Sequence, residues 1–134
     1  MERRPFGRTN LTVPVVGMGT WQTFDVRGEQ EASRRAIVDA AFDTDASFFD
    51  SSPMYGEAER LLGTMLHGRR NRALVATKLW TADDREADLQ IEAALGYFGG
   101  RVSTCIRFIT CCPHPGGSIS SNGSRREERC GCWA

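Results

Sequence analysis

Phe48-Phe49-Asp50-Ser51-Ser52-Pro53-Met54-Tyr55-Gly56-Glu57-Ala58-Glu59 is the stretch around which the chain is organised. The two phenylalanines form strands, Ser51, Ser52 and Pro53 form loops, and Glu57 and Glu59 suit the first turn of a helix starting near Gly56. The segment reads as a short buried strand, an irregular loop and a helix. That order sets a carboxylate, Asp50, at a strand end and a phenol, Tyr55, in the loop above it. Parallel α/β sheets present such loops on one face, and function gathers there. The plainer alternative is that Asp50 caps the loop and Tyr55 packs.

Upstream, Glu29 to Asp43 repeats with helical period, and Ala32, Ser33, Ala36, Ile37, Ala40 and Ala41 share one face. Asp45 stands where this helix must stop, a left-handed position that glycine would fill best and Asp tolerates. Val15-Val16-Gly17-Met18-Gly19-Thr20-Trp21 is a short apolar strand running into glycine. Two glycines without the rest of a fingerprint are weak grounds for a phosphate loop. They equally serve a close backbone approach, with Trp21 as ordinary packing. Pro5 to Pro14 reads as a small hairpin, with Asn10 as its left-handed turn residue.

Downstream, Ala58, Leu61, Leu62, Met65 and Leu66 give the second helix its apolar face, and His67-Gly68 closes it, the histidine as a cap or surface residue rather than a ligand. Ala73 to Trp80 is the next strand. It carries Lys78, the only lysine in the chain, near the end of an apolar run. A charge there is costly unless it is paired or reaches solvent along its own stem. Asp50 ends the preceding strand of the same pattern, so the two side chains are expected at one sheet edge. Thr81-Ala82-Asp83-Asp84 opens a third helix as a capping box, Ala87, Ile91, Ala94, Leu95 and Phe98 form its apolar face, and Gly99-Gly100 ends it. Residues 1–102 thus read as a hairpin followed by three βα units, the α/β pattern of a parallel sheet with right-handed crossovers.

With 134 residues the chain is long enough for one domain with a core. Zero net charge gives no case for nucleic acid or an anionic membrane surface. No apolar run is long enough to span a bilayer, and Met1 to Phe6 has no apolar stretch behind it of the kind a secretory signal needs, so the expected setting is cytoplasmic. A break falls near Val102. Cys105, Cys111, Cys112, Cys130 and Cys132, all the cysteines of the chain, come after it, among glycines and serines without sustained period.

Gly17-Met18-Gly19-Thr20-Trp21, Phe49-Asp50-Ser51-Ser52-Pro53-Met54-Tyr55-Gly56 and Ala76-Thr77-Lys78 resemble the aldo-keto reductases in order and spacing. The resemblance runs almost continuously over residues 5–102. It implies the first part of a (β/α)8 TIM barrel that takes NADPH at its C-terminal face, without a Rossmann domain, and reduces aldehydes or ketones to alcohols. By position, Tyr55 resembles the general acid that protonates the carbonyl oxygen, Lys78 the ammonium beside it, and Asp50 the carboxylate that holds Lys78. A free tyrosine has a pKa of about 10, and a neighbouring ammonium favours the phenolate, which suits proton donation nearer neutrality. Gly19, Thr20 and Trp21 resemble the segment beside nicotinamide and substrate, with Trp21 as a pocket wall and Asp50 near the cofactor. Asp45 stands where the family commonly has glycine. No metal site is implied, and the expected partner is a small carbonyl compound.

The family's fourth catalytic residue is a histidine at the end of the next strand, and Ser103 to Pro113 does not contain it. Shifted by one reading frame, however, the same stretch admits codons spelling Asp-Val-Tyr-Gln-Ile-His-Asn-Leu-Leu-Pro, the missing strand with its histidine. The Cys111-Cys112 junction yields leucine whichever cysteine codons are used. Residues 103–134 are therefore read as frameshifted and disordered. The competing reading, a cysteine-rich metal or disulfide module using His114, lacks the usual ligand spacing. Three βα units cannot close a barrel, so open strand edges are expected to favour self-association, and the loops that would hold most of the cofactor's phosphates and adenine are missing. A non-catalytic fragment, inert or acting as a strand-exposing interaction module, is the alternative to an active reductase.

Overall fold

The computed structural model describes residues 1–81 and 83–99, and the backbone of 104–108. An antiparallel hairpin of β1 (Arg3–Pro5) and β2 (Thr12–Pro14) precedes a four-stranded parallel sheet. The sheet runs in chain order: β3 (Met18–Gly19), β4 (Phe48–Asp50), β5 (Leu74–Leu79) and β6 (Thr104–Phe108). The connections are helices α1 (Glu29–Asp43), α2 (Ala58–Leu66) and α3 (Asp84–Phe98). Each joins two parallel neighbours, as the three βα units require. Among the described residues, no helix is long and apolar enough to cross a membrane.

The strand period of two divides the sheet into two faces. Phe49 and Val75, both fully buried, face the helices and meet Leu61, Leu62 and Leu66 of α2 in one core. Phe42 of α1 meets Phe49 edge-on, with ring centroids 5.7 Å apart. Asp50, Ala76 and Lys78 then belong to the opposite face, and Gly19, Asp50 and Ala76 lie level across three strands.

α2 and α3 bury the faces that the sequence assigns to them. α1 does not. It buries Val38, Ala41 and Phe42, with Ile37 packed alongside, while Ala32, Ser33, Ala36 and Ala40 are exposed. The larger side chains bury more apolar area per residue and fix the helix's rotation. Asp45 does take the left-handed conformation, at φ 60°. In the hairpin, though, positive φ falls at Gly7, and Asn10 does not adopt it. Gly17 serves a close approach: a Cβ there would lie 2.8 Å from the Phe48 carbonyl oxygen. α3 is capped by Asp83, which accepts from the Glu86 amide at 2.8 Å, whereas the Thr81 hydroxyl accepts from the Asp83 amide. The N-cap is therefore Asp83, two residues beyond the Thr81 expected, and no reciprocal box forms, because the Asp83 amide goes to Thr81 and not to Glu86.

β6 falls inside the stretch that the sequence reads as disordered. Its backbone pairs with β5 from Val75↔Thr104 to Leu79↔Phe108. The outer edge of β5 offers a full row of amides and carbonyls, and any extended segment reaching it gains those hydrogen bonds. Residues 109–134, and with them four of the five cysteines, lie outside the described residues.

Candidate active site

The strand ends of β3, β4 and β5 bring together the residues that the sequence singled out. Lys78 Nζ donates to Asp50 Oδ2 at 2.7 Å and to the Ser51 carbonyl oxygen at 2.7 Å. The lysine side chain is only 11 % exposed, against 46 % for Asp50, so the aspartate is open to solvent and the lysine largely shielded. Lys78 Nζ also lies 5.0 Å from the centre of the Tyr55 ring. Register explains this. Asp50 is level with Ala76, so Lys78, two residues on, projects from the same face just past the end of β4.

Tyr55 is half-buried against the core. Its loop is tied at several points: the Ser51 amide donates to the Ala76 carbonyl at 2.8 Å, the Tyr55 amide to the Ser52 carbonyl at 3.0 Å, and the Ala58 amide to the Tyr55 carbonyl at 3.2 Å. Ser51 and Ser52 are fully buried beneath it. The loop is therefore tied down, and it sets the Tyr55 ring beside the lysine.

The β3–α1 loop closes one side. Gly19 is exposed, with open space around the position of a Cβ. Trp21 is 64 % exposed, and its ring centre lies 6.2 Å from that of Tyr55. Thr20 is different. It is fully buried, and its hydroxyl bonds to the Asp50 carbonyl and to Ser51 Oγ, each at 3.0 Å. Thr20 therefore locks β3 to the end of β4 and has no free hydroxyl to offer a ligand. Met54 and Trp80, both exposed, are further apolar groups on these loops.

Two acidic residues take roles that the sequence reading does not assign: Glu59 is read there only as a first-turn helix residue, and Asp25 is not singled out. Glu59, on α2, is buried behind the sheet and accepts a short hydrogen bond from the Thr77 hydroxyl. Burial pushes its carboxyl above the usual range, opposed by the Thr77 bond and the nearby Lys78 charge. Its signal was present: a glutamate on the face that also carries Leu62 and Leu66, opposite a Thr-Lys pair. Asp25, in the β3–α1 loop, accepts from the Glu57 amide at 3.0 Å. Nothing in the sequence pairs residues 25 and 57, which only the fold brings together. Glu57 itself bonds to Arg60 and Arg27, and these hold its carboxyl below the usual range. Among the described residues, no cluster of three or more His, Cys, Asp or Glu could hold a metal ion.

A family model described as the aldo/keto reductase family matches residues 15–96. A relative from Microbacterium luteolum, pyridoxal 4-dehydrogenase, is 40% identical over 81 residues, which is 58% of this chain and 24% of that protein. The chain thus spans about a quarter of the length of that relative. The crystal structure of an aldo-keto reductase from Klebsiella pneumoniae in complex with NADPH is similar at a TM-score of 0.58 and 25% identity, covering 66% of this chain and 32% of that one. The holo form of an aldo-keto reductase from Bacillus halodurans gives a TM-score of 0.66 over 96% of this chain and 43% of that one, and at 22% identity it bears on fold alone. The hairpin and parallel βα units correspond to part of the TIM barrel of these structures. The matched region contains Asp50, Tyr55 and Lys78 together with the strands that align them, and the chain belongs to the aldo/keto reductase family.

Proposed function

We propose that Asp50, Tyr55 and Lys78 are the proton-transfer centre of an NADPH-dependent reductase that converts aldehydes or ketones to alcohols. The observation that supports this most is the ammonium of Lys78, held 2.7 Å from Asp50 while standing 5.0 Å from the Tyr55 ring. Tyr55 donates its phenolic proton to the carbonyl oxygen. Lys78 stabilises the negative charge that develops on the phenol oxygen, and Asp50 with the Ser51 carbonyl holds the ammonium in place. When bound, NADPH supplies the hydride that the carbonyl carbon accepts.

The residues on this face fit such a cofactor in part. Gly19 leaves room for close approach, Trp21 offers an exposed ring, and Asp50 keeps a solvent-facing carboxylate. Thr20, by contrast, acts from within the fold. Trp21, Met54 and Trp80 make the rim apolar, which favours aromatic or otherwise apolar carbonyl compounds as substrates. Pyridoxal, the compound in the name of the Microbacterium luteolum relative, belongs among the first to be tried.

The same proposal extends to the printed sequence beyond residue 102. We read it as a shifted frame of the family's next strand, and sequencing the locus across codon 103 tests this: a gained or lost base that opens the Asp-Val-Tyr-Gln-Ile-His-Asn frame supports it, and an intact printed frame refutes it. A chain of these 134 residues alone, in a cytoplasmic setting, is then expected to hold NADPH weakly and to turn over no aldehyde. Aldehyde-dependent oxidation of NADPH by that chain, abolished by Tyr55→Phe, would show the contrary.

A further inference from the structure

The turn that carries Tyr55 is held from outside its own segment. Gly56 follows Tyr55 at φ +58°, and a Cβ there would fall 2.1 Å from Asp25 Oδ1 and 2.5 Å from its Cγ. The Asp25 carboxylate therefore lies directly against the Gly56 backbone, a place that only glycine leaves open. From there it accepts the Glu57 amide at 3.0 Å. Glu57 is the N-cap of α2, yet its own side chain makes no capping bond. A carboxylate from another loop takes the N-cap residue's own amide instead, at the end of the helix where the dipole favours negative charge.

The loop bearing Asp25 is itself anchored. Phe24, next to it, is fully buried, and its amide donates to the Thr20 carbonyl at 2.9 Å. Arg34 of α1 donates to the Thr23 carbonyl at 2.6 Å. Two residues beyond Asp25, Arg27 pairs with Glu57, and Arg60 carries the same network on to Glu31 of α1. At the other end of the loop, Trp21 stands beside the Tyr55 ring. One loop thus touches the phenol's ring with one side chain and its backbone turn with another.

We infer that Asp25 is a positioning residue for Tyr55: reaching across from the β3–α1 loop, its carboxylate fixes the Tyr55–Gly56–Glu57 turn and so the direction in which the phenol leaves it. The catalytic meaning of this role rests on Tyr55 being the proton donor, whereas the structural tie does not.

The test is residue-resolved amide hydrogen exchange on the 134-residue chain and on Asp25→Ala, Asp25→Asn and Arg27→Ala. Asp25→Ala is expected to speed exchange of the Glu57 amide by about tenfold, with the β4 and β5 amides within about twofold. Asp25→Asn keeps an oxygen acceptor in place and is expected to restore most of the protection. Arg27→Ala leaves the acceptor untouched and is expected to change the Glu57 amide by less than about twofold. An unchanged Glu57 amide in Asp25→Ala, or equal acceleration throughout the sheet, would overturn the inference. Should Asp25→Ala not fold, Asp25→Asn decides alone: a protected Glu57 amide supports the role and an open one removes it. Because the readout is backbone exchange, failure of the reductase reading in a turnover assay leaves this result separate.

Discussion

The Lys78 side chain is only 11 % exposed, and its ammonium has a carboxylate and a carbonyl at 2.7 Å. Asp50→Ala leaves that ammonium without its counter-charge. Since Asp50 is itself nearly half exposed, the expected loss of stability is moderated to roughly 1–3 kcal/mol, read from urea unfolding. Glu59 gives the opposite sign. Its raised pKa means the folded chain holds the proton more tightly than the unfolded chain, so its contribution falls as pH rises from the unfolded value of 4.5 through the folded one. Glu59→Gln keeps an acceptor for Thr77 and removes that penalty. The variant is expected to melt roughly 2–5 °C higher at neutral pH, with the gap closing on acidification. Equal melting points at neutral pH would contradict it. At this scale the sequence showed the residues that stand at strand ends, because strand period and chain order suffice to place Asp50 and Lys78. It did not show Thr20 as a buried lock, nor Asp25, since those roles depend on neighbours about thirty residues away.

At the level of elements, helices and strands were legible where apolar period and punctuation agree. α1 shows where they do not. Its small residues lie on a plausible stripe, but Val38 and Phe42 outweigh them and turn the helix toward Phe49. Asp45 was legible because a left-handed residue is a common way to end a helix and Asp tolerates that conformation, and there its carboxylate takes Arg3 at 2.8 Å. For α3 the decisive feature is the Asp83 cap. Asp83→Ala is expected to cost about 1 kcal/mol and to free the amides of the first turn of α3, seen as faster hydrogen exchange there with α2 unchanged. Thr81→Ala, which removes only the acceptor for the Asp83 amide, is expected to cost less.

At the scale of the molecule, four parallel strands and three α-helices among the described residues assemble the strand-end constellation. The hairpin, the βα order and the family were all readable before the structure, since each rests on local pattern. β6 was not. Its pairing comes from the free edge of β5, a property of the sheet and not of residues 104–108. The measurement that tests the account most directly is aldehyde-dependent oxidation of NADPH. It would compare the 134-residue chain, the protein expressed from the locus in the shifted frame, and Tyr55→Phe in that longer protein. The expected result is turnover only by the longer protein, reduced at least about a hundredfold by Tyr55→Phe. A silent longer protein, or turnover indifferent to Tyr55→Phe, would contradict the assignment of Asp50, Tyr55 and Lys78 to carbonyl reduction.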